Sequence, residues 1–179
     1  MQDITSPLNR DNAIAMEKNA IGQPVRRKED DTLVRGKGCY TDDVSLPNQA
    51  YAWMVRSQHA HGLIRGIDTD AAKTMPGVLG IWTGKDLAGA GYGPFTCGLP
   101  LKSRDGTPLH QTSRLALMTD KVRFVGDPVA IVVAETVAQA RDAAEAVVLD
   151  IDPLPAVTDA AEACQPGAPQ LYDHIPHNV

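Results

Sequence analysis

His59-Ala60-His61 is the one pair in this chain with metal-like spacing. In extended chain, residues i and i+2 point to the same side, so both imidazoles could reach one ion. Further ligands would have to come from elsewhere, His110 or an acid, and no pattern points to them. Hydrogen-bonding or interface histidines are the plainer reading. Cys97, in a Gly-rich stretch, has the chemistry of a nucleophile but no partner base that sequence can name. Asp42-Asp43 are adjacent, and adjacent side chains of extended chain face opposite ways, so they make no paired-carboxylate site. Three glycine patterns fail as phosphate or dinucleotide loops. Gly36-Lys37-Gly38 meets Thr41 where a third glycine belongs, and Gly89-Ala90-Gly91 meets Pro94. Gly84-Lys85 has Leu79 in place of the first glycine and Asp86 in place of Ser/Thr. Flexible loop accounts for each. Residue chemistry alone names no catalytic, cofactor-binding or metal site.

Composition narrows the classes. A chain of 179 residues with 43% hydrophobic content suits one compact domain with tails, and 4% aromatic content makes its core aliphatic. The formal charge of −5 comes with no basic stripe, and the aromatics are too few for base stacking, so nucleic acid is not an expected partner. No stretch approaches the ~20 apolar residues of a membrane span. The opening residues lack a basic region followed by an apolar one, so they do not read as a signal peptide. Cys39, Cys97 and Cys164 give an odd count without CxxC, which fits free thiols in a reducing compartment. A cytoplasmic location is the expectation.

The elements are clearest from Asp120 to Pro155, where a strand, a tight turn, a buried strand, a capped helix and a third strand follow one another. Val129–Ala134 (VAIVVA) is continuously apolar and mostly β-branched, as in a strand buried on both faces. Gly126-Asp127-Pro128 supplies the turn before it. Thr136 and Gln139 have capping-box spacing, and Val137, Ala140, Ala144 and Val148 fall on one helical face. Val147–Ile151 reads as the next strand, stopped by Pro153.

Upstream, Ala50–Arg56 and Leu63–Ile67 read as strands that could pair as a hairpin, followed by a short helix over AAKTM and a strand at Val78–Thr83. Gly84–Leu87 reads as one more helical turn. Residues 63–83 thus repeat in miniature the strand–helix–strand order of 129–152. Two such units on one mixed sheet, with helices on one face, predict an α+β fold of mixed α/β character. Residues 1–20 read as a flexible N-terminal arm, 21–165 as the folded domain and 166–179 as a linker. Within the domain, Ile21–Gln49 reads as an extended, charged surface segment, and Ala88–Ser113 as a long irregular loop.

Several stretches carry a resemblance. Arg27, Glu29-Asp30, Gly36-x-Gly38-x-Tyr40-x-Asp42-Asp43, Leu46-Pro47 and Arg56-Ser57-x-His59-Ala60-His61 open it. Met75-Pro76-Gly77-Val78, Asp120-Lys121-Val122-Arg123-x-Val125-Gly126-x-Pro128-Val129-Ala130 and Pro153-Leu154-Pro155-Ala156-Val157 continue it. In order and spacing, over roughly residues 21–165, the chain resembles the start of the molybdopterin-binding large subunit of the xanthine dehydrogenase, aldehyde oxidase and carbon monoxide dehydrogenase family. One departure is Cys39, where a basic or polar residue is more familiar.

The resemblance implies an N-terminal α/β-hammerhead domain, in which the two strand–helix–strand units find a place. It also implies that molybdopterin, [2Fe–2S] clusters and FAD belong to the complete enzyme and not to this region. No position here matches a cofactor or catalytic motif of the family. The implied partners are the remaining molybdopterin-binding domain, an iron–sulfur small subunit and a FAD subunit. The function so implied is that of a scaffold and subunit-contact domain. The alternative is a free-standing adaptor or small-ligand module, with a pocket near residues 88–113.

Overall fold

The computed structural model describes residues 26–95 and 98–179, which form two compact units divided between Leu46 and Pro47. In the first, Asp30–Val34 forms a short helix, α1, and Thr41–Asp43 a 3-10 turn. The segment is therefore not simply extended. Asp30 and Asp31 occupy the first turn of α1, where carboxylates suit the positive end of the backbone dipole, and Arg35 answers Asp31 at 2.8 Å. The charged side chains of Arg26, Arg27, Lys28, Glu29 and Asp31 are solvent-exposed, and Asp30 is half-buried.

The second unit contains β1 (Tyr51–Arg56), β2 (Gly62–Asp68), α2 (Asp70–Lys73), β3 (Val78–Thr83) and α3 (Gly84–Gly89). After a long excursion come β4 (Lys121–Val122), β5 (Pro128–Ala134), α4 (Val137–Glu145), β6 (Val148–Pro153) and α5 (Ala160–Ala163). The strands make two antiparallel three-stranded sheets, ordered β1-β5-β3 and β4-β2-β6.

This corrects two expectations. The strand–helix–strand units do not share one mixed sheet, and β1 does not pair with β2. The chain β1-β2-α2-β3 and the chain β4-β5-α4-β6 are instead two halves of like topology that exchange their second strands. β5 of the second half is the centre of the first half's sheet, and β2 of the first half is the centre of the other. The miniature repeat visible in sequence is thus an interlocked pair.

β5 explains the interlock. Ala130, Val132 and Ala134 on one face and Val129 on the other are fully buried, with Ile131 and Val133 half-buried, which suits the central strand of a sheet. Each buried valine contributes about 1.5–3 kcal/mol on leaving water. Around it pack Val55, Ile81, Val122, Ala143, Ala144 and Val147, with Ile64, Ile67, Leu149 and Ile151 of the second sheet closing the core.

Thr136 caps α4 by accepting from the Gln139 N–H at 3.2 Å, as its spacing predicts. The Gln139 side chain does not close the box on the Thr136 backbone; its Oε1 accepts from the Thr136 hydroxyl at 2.9 Å. The inward face of α4 is Ala140, Ala143 and Ala144, not Val137 and Val148. Val137 opens the first turn and is exposed, and Val148 already belongs to β6, on its exposed side.

The excursion from Tyr92 to Arg114 is not wholly irregular. Phe95 bridges Arg114, Lys102 bridges Pro108, and a turn closes where Gly106 donates to the Ser103 carbonyl. Residues 166–179 fold back within the second unit. Asn178 Nδ2 donates to the Ala163 and Pro169 carbonyls, and its Oδ1 accepts from Leu171 N–H.

Candidate functional site

His59 and His61 lie where the chain passes between sheets. One crossover, Ser57–His61, links β1 to β2, and the equivalent one, Arg123–Asp127, links β4 to β5. They are hydrogen-bonded to each other. Ser57 N–H donates to the Asp127 carbonyl at 2.9 Å, and Gly126 N–H donates to the Ser57 carbonyl at 2.8 Å. The Arg56 guanidinium donates to the Gly126 carbonyl at 2.8 Å. Gly126 takes φ +92° at this turn, a backbone region that side chains disfavour.

Asp127 is 1% exposed, and its Oδ2 accepts from Arg123 N–H at 2.8 Å. Its Oδ1 is buried without a protein hydrogen bond. Arg123 in turn donates to the Lys121 and Leu171 carbonyls, and its guanidinium stacks 4.6 Å from the Tyr172 ring centre. A carboxylate, a backbone turn and a planar cation thereby fix the second crossover.

The two histidines separate. His61 is buried, and its Nδ1 donates to the Pro155 carbonyl at 2.8 Å, while Leu154 N–H donates to the His61 carbonyl. That bond makes Nδ1 the protonated nitrogen and leaves Nε2 buried without a protein partner. His59 is exposed. Its backbone N–H donates to Ser57 Oγ at 3.0 Å, bending the loop. The bend is why the same-side geometry of extended chain does not hold here. Among the described residues no group of three or more His, Cys, Asp or Glu side chains converges on a point.

The other candidates are engaged locally. Asp43 accepts from Tyr40 N–H at 2.9 Å, capping its own turn. Gly36 takes φ +68° just past α1, so the Gly36-Lys37-Gly38 pattern ends a helix. Gly84 opens α3 against backbone: a Cβ there would stand 2.6 Å from the Leu117 carbonyl oxygen and 2.7 Å from that of Met118. Thr83 caps the same helix, its N–H and hydroxyl each donating to Asp86 Oδ2 at 2.7 Å. These bonds, the hydroxyl's first, hold the Asp86 carboxyl below the usual carboxylate range. Cys97 lies outside the described residues. Cys39 and Cys164 are exposed thiols.

A cleft of about 420 Å³ runs beside β1, lined by Trp53, Val55, Ala144, Leu149 and Ile151, with Arg56 and Glu145 among its polar residues. It lies away from residues 88–113, where the alternative reading places a pocket.

The three sequence stretches that meet in this joint, 56–61, 120–130 and 153–157, are among those that carry the family resemblance. A family model for the aldehyde oxidase and xanthine dehydrogenase a/b hammerhead domain matches residues 35–155. The chain belongs to this family. The hammerhead region is 39% identical over 163 residues to the nicotine 6-hydroxylase large subunit of Paenarthrobacter nicotinovorans, covering 90% of this chain and 19% of that one. It is 35% identical to the carbon monoxide dehydrogenase large chain of Afipia carboxidovorans, covering 98% of this chain and 20% of the relative.

Among solved structures, quinoline 2-oxidoreductase from Pseudomonas putida 86 superposes with a TM-score of 0.73 at 33% identity, over 90% of this chain and 20% of that one. The chain therefore spans about a fifth of the length of these relatives. They are named as oxidoreductases and hydroxylases, and this chain corresponds to their hammerhead domain. No helix among the described residues is long and apolar enough to cross a membrane.

Proposed function

We propose that this hammerhead domain is the scaffold and subunit-contact part of a molybdenum hydroxylase large subunit. The observation that carries the reading is the joint itself. Its buried side chains fix backbone, as Asp127 holds Arg123 and His61 holds Pro155, and among the described residues no three His, Cys, Asp or Glu side chains gather to hold a metal. Residues that an enzyme would use for chemistry here position strands.

The complete enzyme would add a water-derived oxygen at a carbon centre of an aldehyde, N-heterocycle or similar substrate, and pass two electrons on. Molybdopterin, [2Fe–2S] clusters and FAD would serve that reaction from other parts of the assembly. Among the described residues the donor groups do not fit those cofactors. Among the described residues Cys39 and Cys164 are exposed thiols far apart in sequence, with no cluster-binding spacing, and the buried imidazole of His61 is committed to a carbonyl. In this reading the domain's partners are the remaining molybdopterin-binding part, an iron–sulfur subunit and a FAD subunit, and its compartment is the cytoplasm.

A scaffold is distinguished from a catalytic domain by what its variants change. Asp127→Ala should lower the amount of assembled, molybdenum-containing enzyme without changing turnover per molybdenum. A fall in turnover per molybdenum, with assembly intact, would overturn the scaffold reading.

A further inference from the structure

Asp-Gly occurs once in the chain, at Asp105-Gly106. The pair forms the tip of the small hairpin in the excursion after α3. Ser103 N–H donates to the Thr107 carbonyl at 2.9 Å, Leu109 N–H donates to the Leu101 carbonyl at 3.1 Å, and Lys102 bridges Pro108. Gly106 takes φ +89°, in the left-handed region that favours glycine, which is how an Asp-Gly pair turns the chain here. Residues 101–110 are all exposed. No buried side chain holds the tip closed, so its local opening costs little.

The Asp105 carboxyl and the Gly106 nitrogen are groups that can react with each other. After any aspartate, the next backbone nitrogen can close on the side-chain carbon Cγ, and a side chain on that next residue obstructs the approach. Gly106 has none, and nothing lies within 4 Å of where its Cβ would stand. Other aspartates lack a requirement. Asp86 and Asp142 are held inside α3 and α4, and buried Asp127 precedes Pro128, which has no N–H. At the tip, Asp105 Oδ1 accepts from Thr107 N–H at 2.9 Å, and Gly106 N–H donates to the Ser103 carbonyl at 3.0 Å. Both bonds must open before a ring can close, and both lie in the exposed hairpin.

We propose that Asp105-Gly106 is a site of spontaneous covalent modification, the isomerisation of aspartate to isoaspartate. From the acid form of the carboxyl, the Gly106 nitrogen bonds to Asp105 Cγ, and the carboxyl hydroxyl leaves with the amide proton as water. The product is a succinimide. Water then adds to either ring carbonyl and breaks that carbon's bond to nitrogen. Addition at Cγ restores aspartate. Addition at the main-chain carbonyl leaves the chain running through Cβ and Cγ, with the α-carboxyl as the side group. The Thr107 N–H first, and then its hydroxyl, hold the Asp105 carboxyl below the usual carboxylate range, so the acid form is scarce and conversion is slow. Isoaspartate lengthens the main chain at the tip by the Cβ atom and breaks the Ser103–Thr107 register.

The test incubates the 179-residue chain at neutral pH and physiological temperature, beside a free peptide of residues 99–112. Isoaspartate is read by electron-transfer fragmentation of the tryptic peptide that carries Asp105. Asp105 in the chain should convert at no less than about a tenth of the free peptide's rate, and about ten-fold faster than Asp86 or Asp142. Gly106→Ala should slow conversion about ten-fold in chain and peptide alike. Asp105→Glu, whose ring would be larger, should abolish it. An Asp105 that stays intact in the chain while the free peptide converts would overturn the proposal, because the folded turn then protects the pair. Undiminished conversion in Gly106→Ala would overturn it too, because the open approach at Gly106 would then not be what admits the reaction.

Discussion

Ser57 donates its backbone N–H to the carbonyl of Asp127 at 2.9 Å, tying together the two crossovers by which the halves of the domain exchange strands. The side chain of Asp127 then determines how firmly that tie is held, because its Oδ2 is the acceptor for Arg123 N–H. Asp127→Ala strands a buried donor and should destabilise the chain by about 1–3 kcal/mol. Asp127→Asn keeps a side-chain acceptor and should cost clearly less. Urea unfolding of both variants checks this, and equal losses would show that the carboxylate acts by its charge alone.

The histidines should divide in the same way. His61→Ala removes the bond to the Pro155 carbonyl at a buried position and should cost about 1–3 kcal/mol. His59→Ala, at an exposed position, should stay within about 0.5 kcal/mol of wild type. Thermal unfolding of the pair decides it. Similar losses in both would mean that the loop is held as a unit and not by His61.

Two glycines of α3 make a contrast. Gly84→Ala places a methyl group against the Leu117 and Met118 carbonyl oxygens and should cost about 1–3 kcal/mol. Gly89→Ala meets nothing within 4 Å and should be neutral or slightly stabilising. The midpoints of thermal melts should therefore move apart, and a tolerated Gly84→Ala would contradict the close approach.

Asp86 carries a pH dependence. Its carboxyl is held low by the Thr83 hydroxyl and N–H, so the unfolded chain binds this proton more readily than the folded one. The capping stabilisation is therefore present above about pH 4 and is lost as pH falls through the folded value. A carbon-detected NMR titration should show the Asp86 midpoint moving up toward the ordinary carboxylate range in Thr83→Val. An unmoved midpoint would remove the hydroxyl as the main cause.

What the sequence shows plainly is local, and what it hides is long-range. VAIVVA announces β5 because six consecutive apolar residues, mostly β-branched, have few other uses, and Thr136 announces α4 because a cap is read over three residues. The partner of β1 is not legible. A hairpin to β2 is the shortest pairing, but Ser57 and His61 bond to Asp127 and Pro155, far along the chain, and those bonds send β2 into the other sheet. The His59-Ala60-His61 pair misleads for the same reason, since its spacing suggests a shared ligand only until the Ser57 side chain bends the loop. In the sequence Asp127 reads only as a turn residue. Its burial and its bond to Arg123 follow from tertiary packing that no short window contains.

The central claim is that this chain works as a scaffold within a molybdenum enzyme. The most direct measurement is metal analysis of what co-purifies with the chain from its native source, using a tag at its N-terminus. The account predicts stoichiometric molybdenum and iron, carried either on a longer partner chain with iron–sulfur and flavin subunits or on one large tagged polypeptide. Recovery of the chain alone, monomeric and free of both metals, would contradict it.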